Sequence, residues 1–366
     1  MGLYKSVSIT HVKAKLFALC TLFFMAHGNA QDSNAVSINP LPVVYSTPET
    51  GFAFGASVIA SAYLNLDSIN NRQSSTQMAF VFTTKKQILL YIPFKVYLNK
   101  LNQFHEGEFG FFKYNYAFYG LGNDSKEEDR EIYQVTYPRV EYVFYKQKQD
   151  FLFFGGGMRT DNFSQLIYED NGQLKDKTIN GTQGGLFYAL SLNFRADKRN
   201  DVFFPTEGYS LESMIEQAGL FSGSDYKGMG MLVDFAYYKS IFKKSVVAFN
   251  AGVESYDNRY PFYKKAKLGG TRRLRGLISG RYRDNAALYF QNEWRIALAK
   301  RFYAAGFIGL GAVYNTEEEF PSNRWHNAVG MGLRYQMFKQ NKLNVRFDVA
   351  YSEKNTQFYV TFGEAF

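Results

Sequence analysis

The chain of 366 residues holds one cysteine, eight prolines, two tryptophans and four histidines, and each scarcity excludes something. Cys20 falls within the first 30 residues, so no disulfide can staple the remainder. Beyond residue 30 the only histidines are His105 and His326. A transition-metal centre therefore lacks ligands, and a histidine-activated serine hydrolase lacks a recognisable nucleophile motif. After the first 30 residues no run of 18 apolar residues occurs, which excludes helical membrane spans. The formal charge is +9, but setting aside Lys5, Lys13 and Lys15 leaves 39 basic against 33 acidic residues. That excess is spread thinly, with no basic tract, so no nucleic-acid partner is expected.

What the chain does have is aromatic residues: 36 Phe and 28 Tyr, in a sequence that is hydrophilic on average. Its opening reads as a secretory signal peptide over 1–30. Lys5, Lys13 and Lys15 form the positive start, 16–26 is an apolar run, and Gly28-Asn29-Ala30 supplies small cleavage residues. The mature chain is expected to start at Gln31 and to form a single barrel domain over 31–366. Cys20, preceded by bulky Leu19, is read as part of the removed peptide rather than as a lipidation site.

The dominant local signal is alternation. Gln291, Glu293 and Arg295 share one face of a segment whose other face carries Leu288, Phe290, Trp294 and Ile296. Leu343, Val345, Phe347, Val349 and Tyr351 likewise oppose Asn344, Arg346, Asp348, Ala350 and Ser352. Val329, Met331, Leu333, Tyr335 and Met337 oppose a set that includes Arg334. A period of two, with charges on one face and large apolar groups on the other, predicts strands with lipid outside and a polar lumen inside. Sixteen such segments are expected. In the first half they span 40–47, 51–64, 74–84, 87–98, 102–116, 131–146, 150–162 and 184–197. The second half gives 208–220, 226–240, 243–257, 285–299, 301–314, 326–338, 342–352 and 356–366. Pro40, Pro42 and Pro48 make the first segment the weakest. The long connections 117–130, 163–183, 258–284 and 315–325 all join an odd strand to an even one, whereas 99–101, 299–300 and 339–341 are short inward turns. Long outside and short inside is the asymmetry of a closed, even-numbered antiparallel barrel.

One connection carries an unusual motif, Gly269-Gly270-Thr271-Arg272-Arg273-Leu274-Arg275-Gly276-Leu277. If this loop folds back inside, Arg275 needs a buried acid, and Glu293 on the next strand offers one. Arg272 and Arg273 are expected to meet solvent or lipid headgroups. The acidic group Asp124, Glu127, Glu128, Asp129 and Glu131 is expected to be a solvated outer loop, with no metal bound.

Four stretches together make the mature chain resemble the Omp85 superfamily of outer-membrane barrels, the surface-antigen D15 group. The first is the turn from Asp197 and Arg199 to Pro205 and Gly208, similar to the family's turn before the ninth strand. The second is Leu274-Arg275-Gly276-Leu277, which resembles the Arg-Gly tip of the family's sixth outer loop, with leucine in place of the aromatic. The third is Phe307-Ile308-Gly309-Leu310-Gly311, where Gly309 replaces a lumenal aspartate, so one anchor for Arg275 is expected to be missing. The fourth is the end, where Phe358, Phe362 and Phe366 resemble a membrane-insertion signal and Gly363 matches a glycine that softens the closing strand.

The resemblance implies a sixteen-stranded all-β barrel in the bacterial outer membrane, with the sixth loop pinned inside by Arg275, Gly276, Leu277 and Glu293. Gly309, Gly311, Arg334 and Asp348 would line the lumen around it. It implies insertion or translocation of polypeptide or lipid through a weak seam between the first and last strands, with no enzyme activity and no cofactor. The implied partners are outer-membrane lipid and the barrel-assembly machinery that inserts the chain itself. No POTRA module of βααββ type is read ahead of the barrel, so a separate periplasmic capture protein would supply that role. A passive pore that keeps the loop is the alternative. Arg275→Glu is expected to destabilise the barrel, and Arg275→Glu with Glu293→Arg to restore it in part.

Overall fold

A computed structural model describes residues 36–47, 51–64, 73–98, 101–221, 223–242, 244–315, 324–337 and 344–366. The signal peptide, the start at Gln31 and most of the turns 99–101 and 339–341 lie outside the described residues. One antiparallel sheet of sixteen strands accounts for nearly everything else, each strand beside its chain neighbours. In order these are β1 (Ser37–Thr47), β2 (Gly51–Ala62), β3 (Ser74–Thr83), β4 (Ile88–Leu98), β5 (Gln103–Phe118), β6 (Glu131–Gln149), β7 (Leu152–Ile167) and β8 (Gly185–Asp197). Then come β9 (Gly208–Ala218), β10 (Gly228–Phe242), β11 (Ser245–Tyr256), β14 (Ala286–Ala297), β15 (Phe302–Tyr314), β16 (His326–Gln336), β17 (Asn344–Ser352) and β18 (Asn355–Phe362). Two three-residue strands, β12 (Ala266–Leu268) and β13 (Tyr282–Asp284), pair with each other inside the connection from β11 to β14. The sequence pattern contains no period there, so the ribbon was not expected.

Alternation fixes which way each strand faces. In β14, Gln291, Glu293 and Arg295 are buried while Phe290, Trp294 and Ile296 are exposed. In β17, Arg346, Asp348, Ala350 and Ser352 are buried while Phe347, Val349 and Tyr351 are exposed. The charged faces point into a filled interior and the apolar faces point out. Outward apolar groups recur around the ring, from Phe52 and Phe80 to Met231, Met331 and Phe358. A continuous apolar band of this extent is what hydrocarbon, not water, would cover.

The two ends of the sheet depart from the sequence reading. β1 begins earlier than expected, at Ser37, so Pro40 and Pro42 lie within it, opposite Val58 and Ala56, while Pro48 lies outside the described residues. The backbone of Phe52 on β2 bonds toward Thr84, away from β1. The even-numbered residues of β2 therefore turn from β1, and by the antiparallel pattern Pro40 and Pro42 turn their nitrogens to the other edge of β1. That edge is the free edge of the sheet and lacks two N–H donors. Among the described residues no ladder joins β1 to β18. At the other end, the strand expected over 356–366 stops at Phe362, and Gly363, with φ of 75°, turns the chain inward.

Replacing Pro40 and Pro42 by threonine would return two donors to this edge. The folded form of that variant should survive to a higher temperature in a gel heat-modifiability assay. An unchanged transition would mean that the edge meets no strand.

Candidate functional site

The connection from β11 to β14 turns into the interior in two arms with different chemistry. In the first arm Pro261 precedes a single 3-10 turn, Phe262–Lys264. Phe262 is fully buried, edge-on to Phe118 and Tyr133 at 5.3 and 5.1 Å, and Tyr263 stacks on Phe163 at 3.7 Å. Burying an aromatic ring such as Phe262 contributes about 1.5–3 kcal/mol. Lys264 reaches across to Asp161 on β7, the wall acid that also receives Arg139 at 2.7 Å. The β12–β13 ribbon follows, and Arg273, between its two strands, pairs with Glu254 on β11.

The second arm is the tip. Arg275 is 1% exposed and sits between two carboxylates: Nη2 lies 2.6 Å from Glu293 Oε2 on β14, and Nη1 lies 2.7 Å from Asp348 Oδ2 on β17. Its guanidinium carbon stands 3.6 Å from the centroid of the Phe307 ring. Arg334 on β16 repeats the bracket, at 3.1 Å from Glu293 and 2.7 Å from Asp348. Arg295 holds the other oxygen of Glu293 at 2.6 Å, and Arg346 lies 3.3 Å from Asp348 while donating to the Thr271 carbonyl at 3.0 Å. Gly276 has φ of 120°, and a Cβ there would come within 3.2 Å of both Ala328 and Ser352, so only glycine lets the tip lie against β16 and β17. Its N–H donates to the Tyr359 hydroxyl at 2.9 Å, and Leu277 is buried beside Leu274 in the same cluster.

The cluster is completed from below. After Gly363 the last residues enter the interior, where Glu364 Oε2 lies 3.4 Å from Arg334 and 3.5 Å from Arg295. Phe366 does not sit in the membrane-facing wall with Phe358 and Phe362; it packs inside against Ala236, Tyr238 and Ala248. The parity of β18 gives the physical reason. Phe358, Val360 and Phe362 point out, and continuing the strand would set the Glu364 carboxylate on the apolar face with no partner. The turn before β9 also reaches inward. Arg199 chelates Asp197 through two bonds of 2.9 Å, Pro205 accepts a bond from Arg295 at 3.1 Å, and Gly208 opens β9 with φ of 97°.

Several expectations need correction. Arg275 has not lost an anchor at Gly309, because Asp348 supplies the second carboxylate from β17. Gly309 instead makes room for the Leu274 side chain, 2.8 Å from where a Cβ would stand, and Gly311 does the same for Leu268. Arg273 is not simply solvated, since it is partly buried and pairs with Glu254; Arg272 is exposed, as expected, while it also donates to the Ala365 carbonyl at 3.3 Å. The acidic group is not uniformly solvated, since Glu131 is buried and accepts from the Leu174 N–H at 3.1 Å. His326 stacks on Tyr282 at 3.5 Å and lies 2.8 Å from Glu353, while His105 meets Tyr142 at 2.7 Å. Sequence reasoning missed Glu364, Phe307 and the aromatic arm. The break in outward parity at residue 364 was the available signal for the first; loop aromatics carry no period.

Two predictions concern this cluster. Arg275→Ala leaves Glu293 and Asp348 short of one buried partner, a loss of about 3–5 kcal/mol, read from denaturant unfolding. The double exchange Arg275→Glu with Glu293→Arg will not rescue it, contrary to the pairwise expectation. It would set an arginine at 293 against Arg334 and Arg295, which now share that carboxylate. The second concerns Lys267 in the ribbon. Burial first, then Arg283 and Arg139, hold its ammonium down to about 7, against the pull of Glu254. The docked loop thus binds fewer protons than the undocked loop between about 7 and the ordinary 10.5. Docking should strengthen as pH rises through that window and level off below it. Lys267→Met should flatten the dependence, measured as protease protection of 258–285.

No curated protein matches the chain. Among solved structures, the crystal structure of BamA from Haemophilus ducreyi lacking POTRA domains 1-3 aligns with TM-score 0.58 and 16% identity, over 98% of this chain and 79% of that one. CdiB from Acinetobacter baumannii aligns with TM-score 0.55 and 12% identity over 90% of this chain and 65% of that one, and CdiB from Escherichia coli with 0.56 and 10% over 89% and 61%. At these identities the likeness is one of fold. The Omp85 superfamily domain model matches residues 39–366, from the first strand to the terminal phenylalanine, and the chain belongs to that superfamily.

Proposed function

We infer that the protein sits in the bacterial outer membrane and serves the insertion or translocation of polypeptide there. The edges of β1 and β18 are the working part and the plugged interior is a fixed frame. The observation that carries this reading is the contrast between those two regions. The interior is tied through buried ion pairs from the loop and the tail and a hydrogen bond to the turn before β9. The free edge of β1 lacks two donors, and no ladder closes it among the described residues. An unsatisfied strand edge in hydrocarbon is costly, so it favours another strand laid along it. A polypeptide supplies the alternating donors and acceptors that such an edge needs. Lipid acyl chains supply neither, which makes polypeptide the better client. No bond-making chemistry enters this reading, and the client's own folding provides the driving force.

The test is reconstitution into liposomes with a small unfolded barrel protein as client, its folding followed by gel mobility. Folding should run several-fold faster than in protein-free liposomes. Folding at the protein-free rate, together with steady conductance across a planar bilayer, would replace this reading with that of a passive pore.

A further inference from the structure

The long connections converge at one end of the barrel around an open cleft of about 1090 Å³. This lies at the upper end of the range for small-ligand sites. Four separate connections line it, and each brings a carboxamide or a carboxylate. Asn123 comes from the β5–β6 connection, Asn180 from β7–β8, Asn258 and Asn285 from β11–β14, and Asn315 from β15–β16. Several of these amides are held in place by the protein. Asn123 accepts from the Val313 N–H at 3.1 Å and donates to the Arg324 carbonyl at 2.7 Å. Asn285 donates to Asn315 at 2.9 Å and accepts from Lys265. Asn180 donates to the Arg259 carbonyl. A carboxamide carries two N–H donors and two acceptor lone pairs, so these bonds, at both ends of Asn123 and Asn285 and at one end of Asn180, orient the groups and leave an N–H of each unused.

The charge lining the cleft is nearly balanced. Asp124, Asp129 and Asp284 stand against Lys265 and Arg324, and Asp124 is paired with Arg324. A phosphate or an anionic polymer would need a cationic excess that these walls lack. A nonpolar ligand would need an apolar wall, and the amides and carboxylates exclude that. What fits is a molecule dense in uncharged groups that donate and accept at once. We propose that this cleft binds a neutral oligosaccharide chain. Sugar hydroxyls donate to the carboxylates and amide oxygens and accept from the amide N–H groups, and half-buried Tyr314 offers a flat wall for a sugar face.

That the ligand reaches the cleft from outside the cell rests on the outer-membrane placement of the proposed function together with the outward side read for the long connections; the binding itself does not. The test is isothermal titration calorimetry on the full chain in detergent, with maltohexaose and chitotetraose as neutral probes and inorganic polyphosphate as the anionic one. At least one neutral probe should bind saturably. The double variant Asn180→Ala, Asn258→Ala should bind it about tenfold more weakly, with heat-modifiability unchanged to show an intact barrel. Heat from polyphosphate alone, from no probe, or from the double variant at undiminished affinity would overturn the proposal. Binding in detergent without capture of the fluorescent probe by intact cells would uphold the site and overturn only the outward orientation. Insertion kinetics in liposomes do not involve this cleft, so the two readings can fail separately.

Discussion

Arg275 touches two carboxylates that belong to strands three places apart in the sheet. That double contact constrains most of the second half of the barrel. Glu293 and Asp348 are fully buried, and neither can lose its cations without leaving a charge in a medium that does not solvate it. The arc from β14 to β17 must keep the curvature that lets one guanidinium reach both. Arg334, on the strand between β15 and β17, spans the same two acids, so the wall and the loop share a single set of charges. Four guanidinium groups meet three carboxylates here, and backbone carbonyls of Thr271 and Pro205 take up donors the acids do not. A cluster with this many shared partners behaves as a unit, and the charges of its members cannot be exchanged pair by pair.

The tail enters the same logic. Glu364 is the third carboxylate, and its place on Arg295 and Arg334 depends on Gly363 turning the chain away from the wall. The inward turn shortens β18, so the last strand presents eight residues where β1 presents eleven. The charge balance inside the barrel thus helps set how much of the closing strand remains available at the seam. On the other side of that seam, Pro40 and Pro42 remove donors from the facing edge. Both strands lose pairing capacity through features that the interior and the proline ring impose.

Much of this was legible in the sequence because a period of two is a local signal. Sixteen strands, the inward parity of Glu293, Arg334 and Asp348, and the opening into the long loop all follow from alternation and turn residues. Which inward groups meet is a different question. Asp348 is far from Arg275 in sequence, and only closing curvature brings them within 2.7 Å. A pairwise reading from the nearest strand found Glu293 and stopped there. The aromatic arm around Phe262 and Tyr263 was illegible for another reason: its contacts with Phe118, Tyr133 and Phe163 rely on a non-repeating path through the interior. At the C-terminus the alternation was followed too far, and the carboxylate at Glu364 was the residue that should have ended it.

The wall and the loop are matched closely enough to decide which part of the barrel can move. Asp161, Glu254, Glu293 and Asp348 lie on four different strands, and each receives a cation from the loop: Lys264, Arg273, and Arg275 for the last two. Withdrawing the loop would take one cation from each at once, leaving Glu254 without its Arg273 partner, and would also expose Phe262, Leu274 and Leu277. No comparable set of contacts spans β1 and β18 among the described residues. Separation at the seam breaks few bonds, whereas clearing the lumen breaks many buried ion pairs. A path through the side of the barrel is therefore cheaper than a path down its axis.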